Sequence, residues 1–391
     1  MTQELEKLLA RPVEKVRQWE GGLYDELTGP LANSLVLYGA GGLGQKTLRG
    51  LRKLGIEPLA FTDNNPNLHG LEINGVAVLS PDEAAQKFGT SAVFIVTVFM
   101  DSAPGGIEPL IKKLNGLGCE HATSFVYLYW KYPDLFLPHY VYDLPHKVIT
   151  ASDKIRAAFS LFEDNSSQKE FLAQIKWRLD PDYDQIPAPA EHEIYFPPDL
   201  IALVEDEVFI DCGAYDGDTV RSFIRQSGGK FDKLFAFEPD PVNYKKLVEL
   251  VASLPLETAR HIETSDLALG AASELLYFDA QGVASSSLSS SGGIQIKSEP
   301  LDSLPAGEAP TFIKMDIEGA EKDALKGASQ CISNHLPILA ISVYHRQDHI
   351  WEIPLFIHAL SGAYHFHLRR HHPRVLDDLV LYAIPTRPDN H

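Results

Sequence analysis

Two stretches of the sequence, far apart, share one pattern: an apolar run, a set of glycines and then an amphipathic segment. They read SLVLYGAGGLGQKTLRGLRKLG, from residue 34, and EVFIDCGAYDGDTV, from residue 207. An apolar run that ends at glycines predicts a buried strand that turns sharply into a helix. Such a turn is typical of the ligand-binding edge of a parallel sheet, so we expect the chain to form two sheets of this kind.

Short apolar runs alternate with amphipathic helical patterns on both sides of the glycine turns. This alternation predicts an α/β protein whose parallel sheets are covered by helices on both faces. Near the C-terminus, YHFHLRRHH and DDLVLYAIP are separated by only a short turn, which predicts an antiparallel hairpin. We therefore expect two Rossmann-like domains, the second with the mostly parallel sheet and antiparallel C-terminal hairpin of class I methyltransferases.

The chain is long enough for more than one domain, because 391 residues exceed the roughly 250–300 at which single hydrophobic cores stop growing. Four segments are predicted. They are an N-terminal helix at 1–33, a Rossmann-like nucleotide-binding-type domain at 34–128, a helical and proline-rich connector at 129–205, and the second sheet domain at 206–391.

Charge and cysteine content disfavour several classes of protein. The net charge is −19, from 34 basic and 53 acidic side chains, which argues against nucleic acid and anionic membranes as partners. No apolar stretch reaches the length of a membrane span, and the N-terminus lacks the apolar segment of a secretory signal. The three cysteines are widely separated, without a CxxC pair, so neither a disulfide framework nor a cysteine zinc site is expected. These features predict a cytoplasmic protein.

The first glycine turn has the spacing of a dinucleotide fingerprint. Gly39, Gly41 and Gly44 follow a predicted strand and open a predicted helix, and Asp63 closes the next strand. Glycines of this spacing permit a tight turn and a close backbone approach, and the acid suits ribose hydroxyls. No catalytic pair follows in this half, so the pattern predicts either a nucleotide-binding site without redox chemistry or a scaffold that binds no nucleotide.

The second glycine turn carries three carboxylates, Asp211, Asp216 and Asp218. A pyrophosphate placed there would face like charge in a partly desolvated pocket, which costs several kcal/mol, on the order expected for unscreened charges. S-adenosylmethionine has no phosphate, and its ammonium and sulfonium groups are cationic. The carboxylates therefore favour S-adenosylmethionine over a dinucleotide as the ligand of this turn.

Positions around this turn supply the expected cofactor contacts. Asp211 attracts the cation, while Gly213 and Gly217 let the backbone approach the methionine portion. Glu238 ends the next strand, where ribose hydroxyls need an acceptor, and Asp266, followed by Leu267, ends the third strand, where the adenine edge lies. Ordinary turn and cap chemistry is the alternative interpretation of these residues, above all of Asp266.

The second half of the chain resembles an FkbM-family methyltransferase over roughly residues 190–385. The resemblance is carried, in order, by the motifs EVFIDCGAYDGDTV, FAFEPDPVNYKKL, FIKMDIEGAEKDAL and ISVYHRQDHIWEIP. It implies methyl transfer from S-adenosylmethionine to a hydroxyl oxygen, often on a sugar, a glycan or a secondary metabolite. The family's Ala-Asn-x-Gly turn corresponds to Ala214, Tyr215, Asp216 and Gly217, which adds Ala214 and Tyr215 to the cofactor contacts. Residues 34–128 are similar to small Rossmann-like domains attached to sugar-modifying enzymes and some C-methyltransferases.

Methyl transfer to an alcohol requires a base near the methyl carbon, and bases are expected at the carboxyl ends of strands. Asp316 and Glu318 end the fourth strand of the second sheet, and His345 ends the fifth, where a neutral imidazole suits base work. Capping and strand-end solvation are the alternative roles. With His349 these residues could hold a divalent ion, but their spacing is not a recognised metal motif, so no metal is predicted.

Three hypotheses of function remain open at this point. The first is a methyltransferase that acts on a small-molecule or glycan acceptor, and it is the one we favour. The second is an NAD-dependent or nucleotide-sugar enzyme that works through Gly39–Gly44, and the third is a non-catalytic nucleotide-binding protein. The sequence identifies neither the acceptor nor the oligomeric state, so a homo-oligomer stays open.

Overall fold

The computed structural model describes residues 1–98, 107–181, 187–279, 287–289, 293–303, 309–372 and 378–386. The chain divides into two compact units. The N-terminal unit runs from Met1 to Ser152 and includes a short second segment that begins at Ala173. The C-terminal unit contains Asp153–Leu172 and continues from Pro187.

The N-terminal unit is a mostly parallel sheet with helices. Its elements are α1 (Thr2–Leu9), α2 (Val13–Thr28), β1 (Leu35–Tyr38), α3 (Gly42–Lys53), β2 (Ala60–Thr62), β3 (Glu72–Ile73), β4 (Val76–Leu79), α4 (Pro81–Phe88), β5 (Val93–Val96), α5 (Glu108–Gly116), β6 (His121–Ser124), α6 (Phe125–Lys131), α7 (Pro133–Phe136) and α8 (Pro145–Thr150).

The strand order of this sheet is β3-β4-β2-β1-β5-β6, and β3 alone among these strands is antiparallel to its neighbour. The five parallel strands therefore have the order of a doubly wound sheet, which reverses between β1 and β5. Every residue of β1 and β5 is buried, as a strand covered on both faces requires.

The C-terminal unit holds the larger sheet. Its elements are α9 (Ser152–Ser160), the first part of α10 (Asn165–Leu179), β7 (Val208–Cys212), α11 (Asp218–Gln226), β8 (Lys233–Phe237), α12 (Pro241–Ser253), α13 (Leu256–Ala259), β9 (Ile262–Ser265), β10 (Ala268–Leu269), β11 (Glu274–Asp279), β12 (Ser287–Ser289), β13 (Ile294–Glu299), β14 (Phe312–Met315), α14 (Glu321–Gly327), α15 (Ser329–His335), β15 (Ile338–Ser342), α16 (His349–Leu360), β16 (Tyr364–Arg370) and β17 (Leu379–Pro385).

Seven of these strands form one sheet in the order β16-β17-β15-β14-β7-β8-β9. Five are parallel, and β17 lies antiparallel to both β15 and β16. This arrangement confirms the predicted mostly parallel α/β sheet with its antiparallel C-terminal hairpin. The parallel strands again reverse their order, here between β7 and β14, and that reversal opens a crevice at their carboxyl ends.

A second, four-stranded sheet in this unit was not predicted from the sequence. Its order is β10-β13-β11-β12, with β11 antiparallel to both β12 and β13. Within the serine-rich stretch 285–293, Ser287–Ser289 forms β12 and pairs with β11. Residues 285, 286 and 290–292 of that stretch lie outside the described residues.

Residues 129–205, predicted as a connector, do not form a third unit. Helices α6–α8 belong to the N-terminal unit, and the segment from Pro187 to β7 belongs to the C-terminal unit. None of the helices within the described ranges is long and apolar enough to cross a membrane.

Candidate active site

A cleft opens at the carboxyl ends of β7, β8 and β14, where the strand order of the large sheet reverses. Its walls are the turn after β7, the end of β8, the chain around β10 and the turn after β14. Tyr195 and Tyr344 close the side nearest to β14. Open α/β sheets bind their ligands at this kind of reversal, so the cleft is the first candidate for an active site.

Two glycines give the turn after β7 its shape. Gly213 has a φ of +85°, and a Cβ added there would lie 1.9 Å from the carbonyl oxygen of Asp316. Gly217 has a φ of +86°, and its added Cβ would lie 2.3 Å from Cδ2 of Leu250. Glycine is therefore required at both positions, and Gly213 brings the turn into direct contact with the end of β14.

Glu238, at the end of β8, supports the same turn. Its Oε2 accepts a hydrogen bond from the amide of Tyr215 at 2.8 Å, and its Oε1 accepts one from the amide of Asp240 at 2.8 Å. Burial raises the pKa of Glu238, although the two amides favour the ionised form. Each carboxylate oxygen has a second lone pair, so Glu238 can still accept hydrogen bonds from a ligand in the cleft.

Asp211 and Lys314 face each other on neighbouring strands, as register partners of β7 and β14. Both are buried, and Nζ of Lys314 lies 3.0 Å from Oδ1 of Asp211. The same ammonium donates to the carbonyl of Gly213 at 2.7 Å and lies 5.1 Å from the ring centre of Tyr195. Burial alone would lower the pKa of Lys314, but the charge of Asp211, with those of Asp316 and Asp218, holds it above its usual value.

The predicted cofactor contacts divide into two groups. Gly213, Tyr215, Glu238 and Leu267 line the cleft. The remaining four lie outside the lining: Asp211, Ala214, Gly217 and Asp266. Asp211 is closed off behind Lys314, whereas Asp266 is exposed between β9 and β10. The idea that Asp211 attracts a cation directly therefore needs correction, since its charge is offset by Lys314.

Asp316 follows β14 and lines the cleft. Its Oδ2 accepts a hydrogen bond from the hydroxyl of Tyr195 at 2.6 Å, and its Oδ1 accepts one from the hydroxyl of Tyr344 at 3.3 Å. Tyrosine hydroxyls that donate to both oxygens of a carboxylate restrict its rotation. The two hydrogen bonds therefore fix the orientation of the Asp316 carboxylate at the strand reversal.

Glu321 shapes the turn that carries Asp316 and Glu318. Its Oε1 accepts hydrogen bonds from the amides of Ile317 at 2.9 Å and Gly319 at 3.3 Å. Glu318 has a φ of +56° and Gly319 a φ of +101°, so the chain reverses here in a left-handed conformation. Glu318 lines the cleft, as Asp316 does.

His345 lies buried behind this turn and not in the lining of the cleft. Its Nδ1 is 2.8 Å from Oε1 of Glu321, and its Nε2 is 3.4 Å from Asp316 and 3.8 Å from Glu318. Burial alone would lower the pKa of His345, but these three carboxylates raise it to about 10. The imidazole is therefore charged at neutral pH, whereas the sequence interpretation required it to be neutral.

One potential metal-ligand atom from each of three residues lies within 4.8 Å of the other two. The residues are Asp316, Glu321 and His345. A metal there would have to displace the proton of His345, because a histidine ligand is neutral. It would also compete with the hydrogen bonds of Glu321, whose Oε2 lies 3.3 Å from Nδ1 of His349. The contacts fit a buried network of ion pairs better than a metal centre.

Several residues of the cleft were missed in the sequence. Tyr195 lies in a proline-rich stretch without periodicity, and Lys314 occupies a strand that reads as an apolar run. Asn243 on α12 and Thr219 on α11 also line the cleft. Tyr344 directly precedes the predicted His345, so its place at the strand end was a usable signal.

The N-terminal unit has a cavity of its own at the carboxyl ends of β1, β2 and β5, on the reversal of that sheet. Gly39, Gly41 and Asp63 line it. Gly44 does not, and its added Cβ would lie 1.9 Å from the carbonyl of Gly39, so its role is close packing. Asp63 accepts hydrogen bonds from the amides of Ala40 and Asn65, both at 2.9 Å.

Comparison with known proteins finds a family model that matches part of the C-terminal unit. The family model described as the methyltransferase FkbM domain matches residues 211–371, which confirms the resemblance predicted from the motifs. The crystal structure of a methyltransferase FkbM from Methylobacillus flagellatus has a TM-score of 0.76 and 23% identity, over 98% of this chain and 97% of that one. The methyltransferase domain of bacterial CtHen1 gives a TM-score of 0.30 at 8% identity, over 46% of this chain and 91% of that one. No curated protein sequence matches the chain significantly.

Proposed function

We propose that this chain, whose residues 211–371 carry a methyltransferase domain of the FkbM family, transfers a methyl group from S-adenosylmethionine to a hydroxyl oxygen. The acceptor is a sugar, a glycan or a secondary metabolite. The observation that supports this proposal most is one cleft, at the strand reversal, that brings together Gly213, Glu238 and Asp316.

The side chains of the cleft fit S-adenosylmethionine. Gly213 lines the cleft with backbone alone and packs against the carbonyl of Asp316, which places the turn after β7 beside the position proposed for the methionine portion. Glu238 offers carboxylate oxygens, the acceptors that ribose hydroxyls require. Leu267 and Phe237 add apolar surface suited to an adenine ring.

The charge of the cleft favours a cation. Its acidic lining residues are Asp218, Glu238, Asp316 and Glu318. Lys314 is the one basic residue among the described residues of the lining, and Asp211 offsets its charge from behind. When bound, S-adenosylmethionine supplies a methyl group on a positively charged sulfur, an electrophile that this acidic lining stabilises.

Asp316 is the best-placed proton acceptor for the acceptor hydroxyl. It lines the cleft at the reversal, and hydrogen bonds from Tyr195 and Tyr344 hold its carboxylate. Glu318 lines the same end of the cleft as an auxiliary carboxylate. We assign His345 no role as the base, because its raised pKa favours the protonated form at neutral pH. Its charge lies 3.4 Å from Asp316 and balances the carboxylates that surround it.

Calorimetry with S-adenosylmethionine and S-adenosylhomocysteine tests the cofactor, and radiolabelled S-adenosylmethionine with a panel of hydroxylated acceptors tests the reaction. The proposal expects binding of both ligands and transfer of label to an oxygen. An Asp316→Asn variant should bind S-adenosylhomocysteine normally and transfer little label. If the wild-type protein binds neither ligand, a non-catalytic role becomes the better explanation.

We propose, as a second function, that the cavity of the N-terminal unit binds a nucleotide such as NAD or a nucleotide sugar. Its position at the strand reversal beside Gly39 and Gly41 supports this proposal. Gly41 lines this cavity, and a Cβ added there meets no atom within 4 Å, so Gly41→Val adds a side chain at the site without a clash at its Cβ. Thermal shift with NAD and with UDP-glucose tests it. A shift that Gly41→Val abolishes supports the site, and no shift with either ligand opposes it.

A further inference from the structure

Tyr195 belongs to the segment that precedes β7, outside the residues matched by the family model. It is 5% exposed and has a φ of +70°. A bulky residue in this left-handed region is strained by roughly 1–3 kcal/mol and persists only where its surroundings hold it. Strain of this kind, in a residue that lines the cleft, points to a role in the site.

Three contacts hold Tyr195 in that conformation. Its amide donates to the hydroxyl of Tyr382 on β17 at 3.0 Å, and its hydroxyl donates to Oδ2 of Asp316 at 2.6 Å. The ammonium of Lys314 lies 5.1 Å from the centre of its ring. The residue is thus fixed at its backbone, at its ring and at its hydroxyl.

The hydroxyl of Tyr195 and the imidazole of His345 interact with different oxygens of the Asp316 carboxylate. The charged imidazole of His345 lies 3.4 Å from Oδ1 of Asp316, on the side away from the cleft. Without Tyr195, the carboxylate would be held through Oδ1 alone, by the hydroxyl of Tyr344 and the imidazole of His345, and Oδ2 would be free to leave the cleft. The short hydrogen bond from Tyr195 keeps the other oxygen of Asp316 at the cleft.

We propose that Tyr195 is a positioning residue, which holds the carboxylate of Asp316 where the acceptor oxygen meets the methyl carbon. The proposal rests on the proposed methyltransferase function. It adds a residue from outside the matched domain to the reacting centre. It also gives a reason for the strained backbone of Tyr195, because the left-handed conformation accompanies its hydrogen bonds to both Tyr382 and Asp316.

The test uses two ligands and needs no acceptor. Sinefungin carries an ammonium group in the place of the transferable methyl, and S-adenosylhomocysteine carries nothing there. A carboxylate positioned at that point should make sinefungin bind at least about tenfold more tightly, since a charge-assisted hydrogen bond contributes about 1.5–3 kcal/mol. Calorimetry on the full chain measures both dissociation constants and their ratio.

Tyr195→Phe retains the ring beside Lys314 and removes only the hydroxyl. We expect it to leave the affinity for S-adenosylhomocysteine within about twofold and to reduce the preference for sinefungin by about fivefold to tenfold. Asp316→Asn should abolish the preference. Tyr364→Phe is the matched control, because the hydroxyl of Tyr364 donates to the carbonyl of Pro337 and not into the cleft. It should retain the wild-type ratio.

The proposal is overturned if Tyr195→Phe keeps the wild-type ratio, or if it weakens both ligands equally, which would mean a packing role alone. It is also overturned if the wild-type protein binds both ligands without a preference. Failure of the wild-type protein to bind either ligand is a different result, because it removes the proposed methyltransferase function itself.

Discussion

The carboxylate of Asp211 and the ammonium of Lys314 form an ion pair 3.0 Å apart, closed to solvent on the neighbouring strands β7 and β14. The pair changes how the charge at the glycine turn is understood. The acid that first suggests a cationic ligand is neutralised inside the protein, and the carboxylates left to act on a ligand are those of the cleft lining. Lys314 also donates a hydrogen bond to the carbonyl of Gly213, which fixes the turn after β7 to the sheet.

The first prediction concerns this pair. Lys314→Met leaves a buried, uncompensated carboxylate and should reduce the free energy of unfolding by about 3–5 kcal/mol. Asp211→Asn leaves the ammonium of Lys314 uncompensated and should also reduce the free energy of unfolding. The double variant removes both charges, so its loss should fall short of the summed single losses by at least about 2 kcal/mol. Urea unfolding of the four proteins measures this coupling. Additive losses would show that the two side chains do not act as a pair.

The second prediction separates a steric clash from backbone strain. Gly213→Ala combines a left-handed backbone with a Cβ placed 1.9 Å from the Asp316 carbonyl oxygen. Gly228 has a φ of +62° and no atom within 4 Å of an added Cβ, so Gly228→Ala carries strain alone. We expect Gly228→Ala to cost about 1–2 kcal/mol of unfolding free energy. Gly213→Ala should cost clearly more and weaken S-adenosylhomocysteine binding. Equal losses, with binding intact, would contradict the contact between the turn and β14.

Much of the cleft could be predicted because its residues follow strands. Gly213, Glu238 and Asp316 each come directly after an apolar run, and parallel strands bring their carboxyl ends together. Tyr195 and Lys314 could not be found this way. The position of Tyr195 depends on a segment without periodicity, and the contact of Lys314 with Asp211 depends on a register that no local pattern specifies. Asp266 also follows a strand, but its side chain lies exposed, and its predicted contact with the adenine edge stays a prediction.

The protonation state of His345 could not be predicted from the sequence either, because it depends on neighbours whose positions no local pattern gives. A strand-end histidine suggests a neutral base. Packing puts it beside Asp316, Glu318 and Glu321. Glu321, the first residue of α14, joins that helix to His345 and to the turn after β14.

The third prediction is the pH dependence that follows from His345. Its pKa rises from 6.5 to about 10 on folding, so its charge stabilises the fold fully below pH 6.5. That stability is lost as the pH rises from 6.5 through 10. Measured against His345→Gln, the wild-type advantage in unfolding free energy should therefore be largest near pH 6 and shrink by several kcal/mol, on the order of the linkage for such a shift, toward pH 10.

Ile350→Val is the control for this series. Ile350 is buried on α16 and does not titrate, so its substitution should cost about 1 kcal/mol at every pH. Denaturant unfolding at four pH values between 6 and 10 provides the comparison. A constant difference between the wild-type protein and His345→Gln would mean that His345 is not charged in the folded protein.

The fourth prediction compares two strand-end acids that the sequence analysis assigned to the adenosine portion, Glu238 to the ribose hydroxyls and Asp266 to the adenine edge. Glu238 lines the cleft and accepts two backbone hydrogen bonds, whereas Asp266 is exposed and outside the lining. Glu238→Ala should weaken S-adenosylhomocysteine binding by at least about tenfold, because ribose hydroxyls lose a charged acceptor. Asp266→Ala should change the affinity by less than about threefold.

Glu238→Gln distinguishes ligand contact from support of the turn. The amide side chain is nearly isosteric and keeps a single carbonyl oxygen, so only one of the amides of Tyr215 and Asp240 can retain its acceptor. If Glu238 acts mainly on the ligand, calorimetry should show a loss of affinity while the free energy of unfolding changes little. If it acts mainly on the turn, both quantities should fall together. An Asp266→Ala variant that binds as poorly as Glu238→Ala would mean that the adenosine portion reaches beyond the cleft, toward the exposed end of β9.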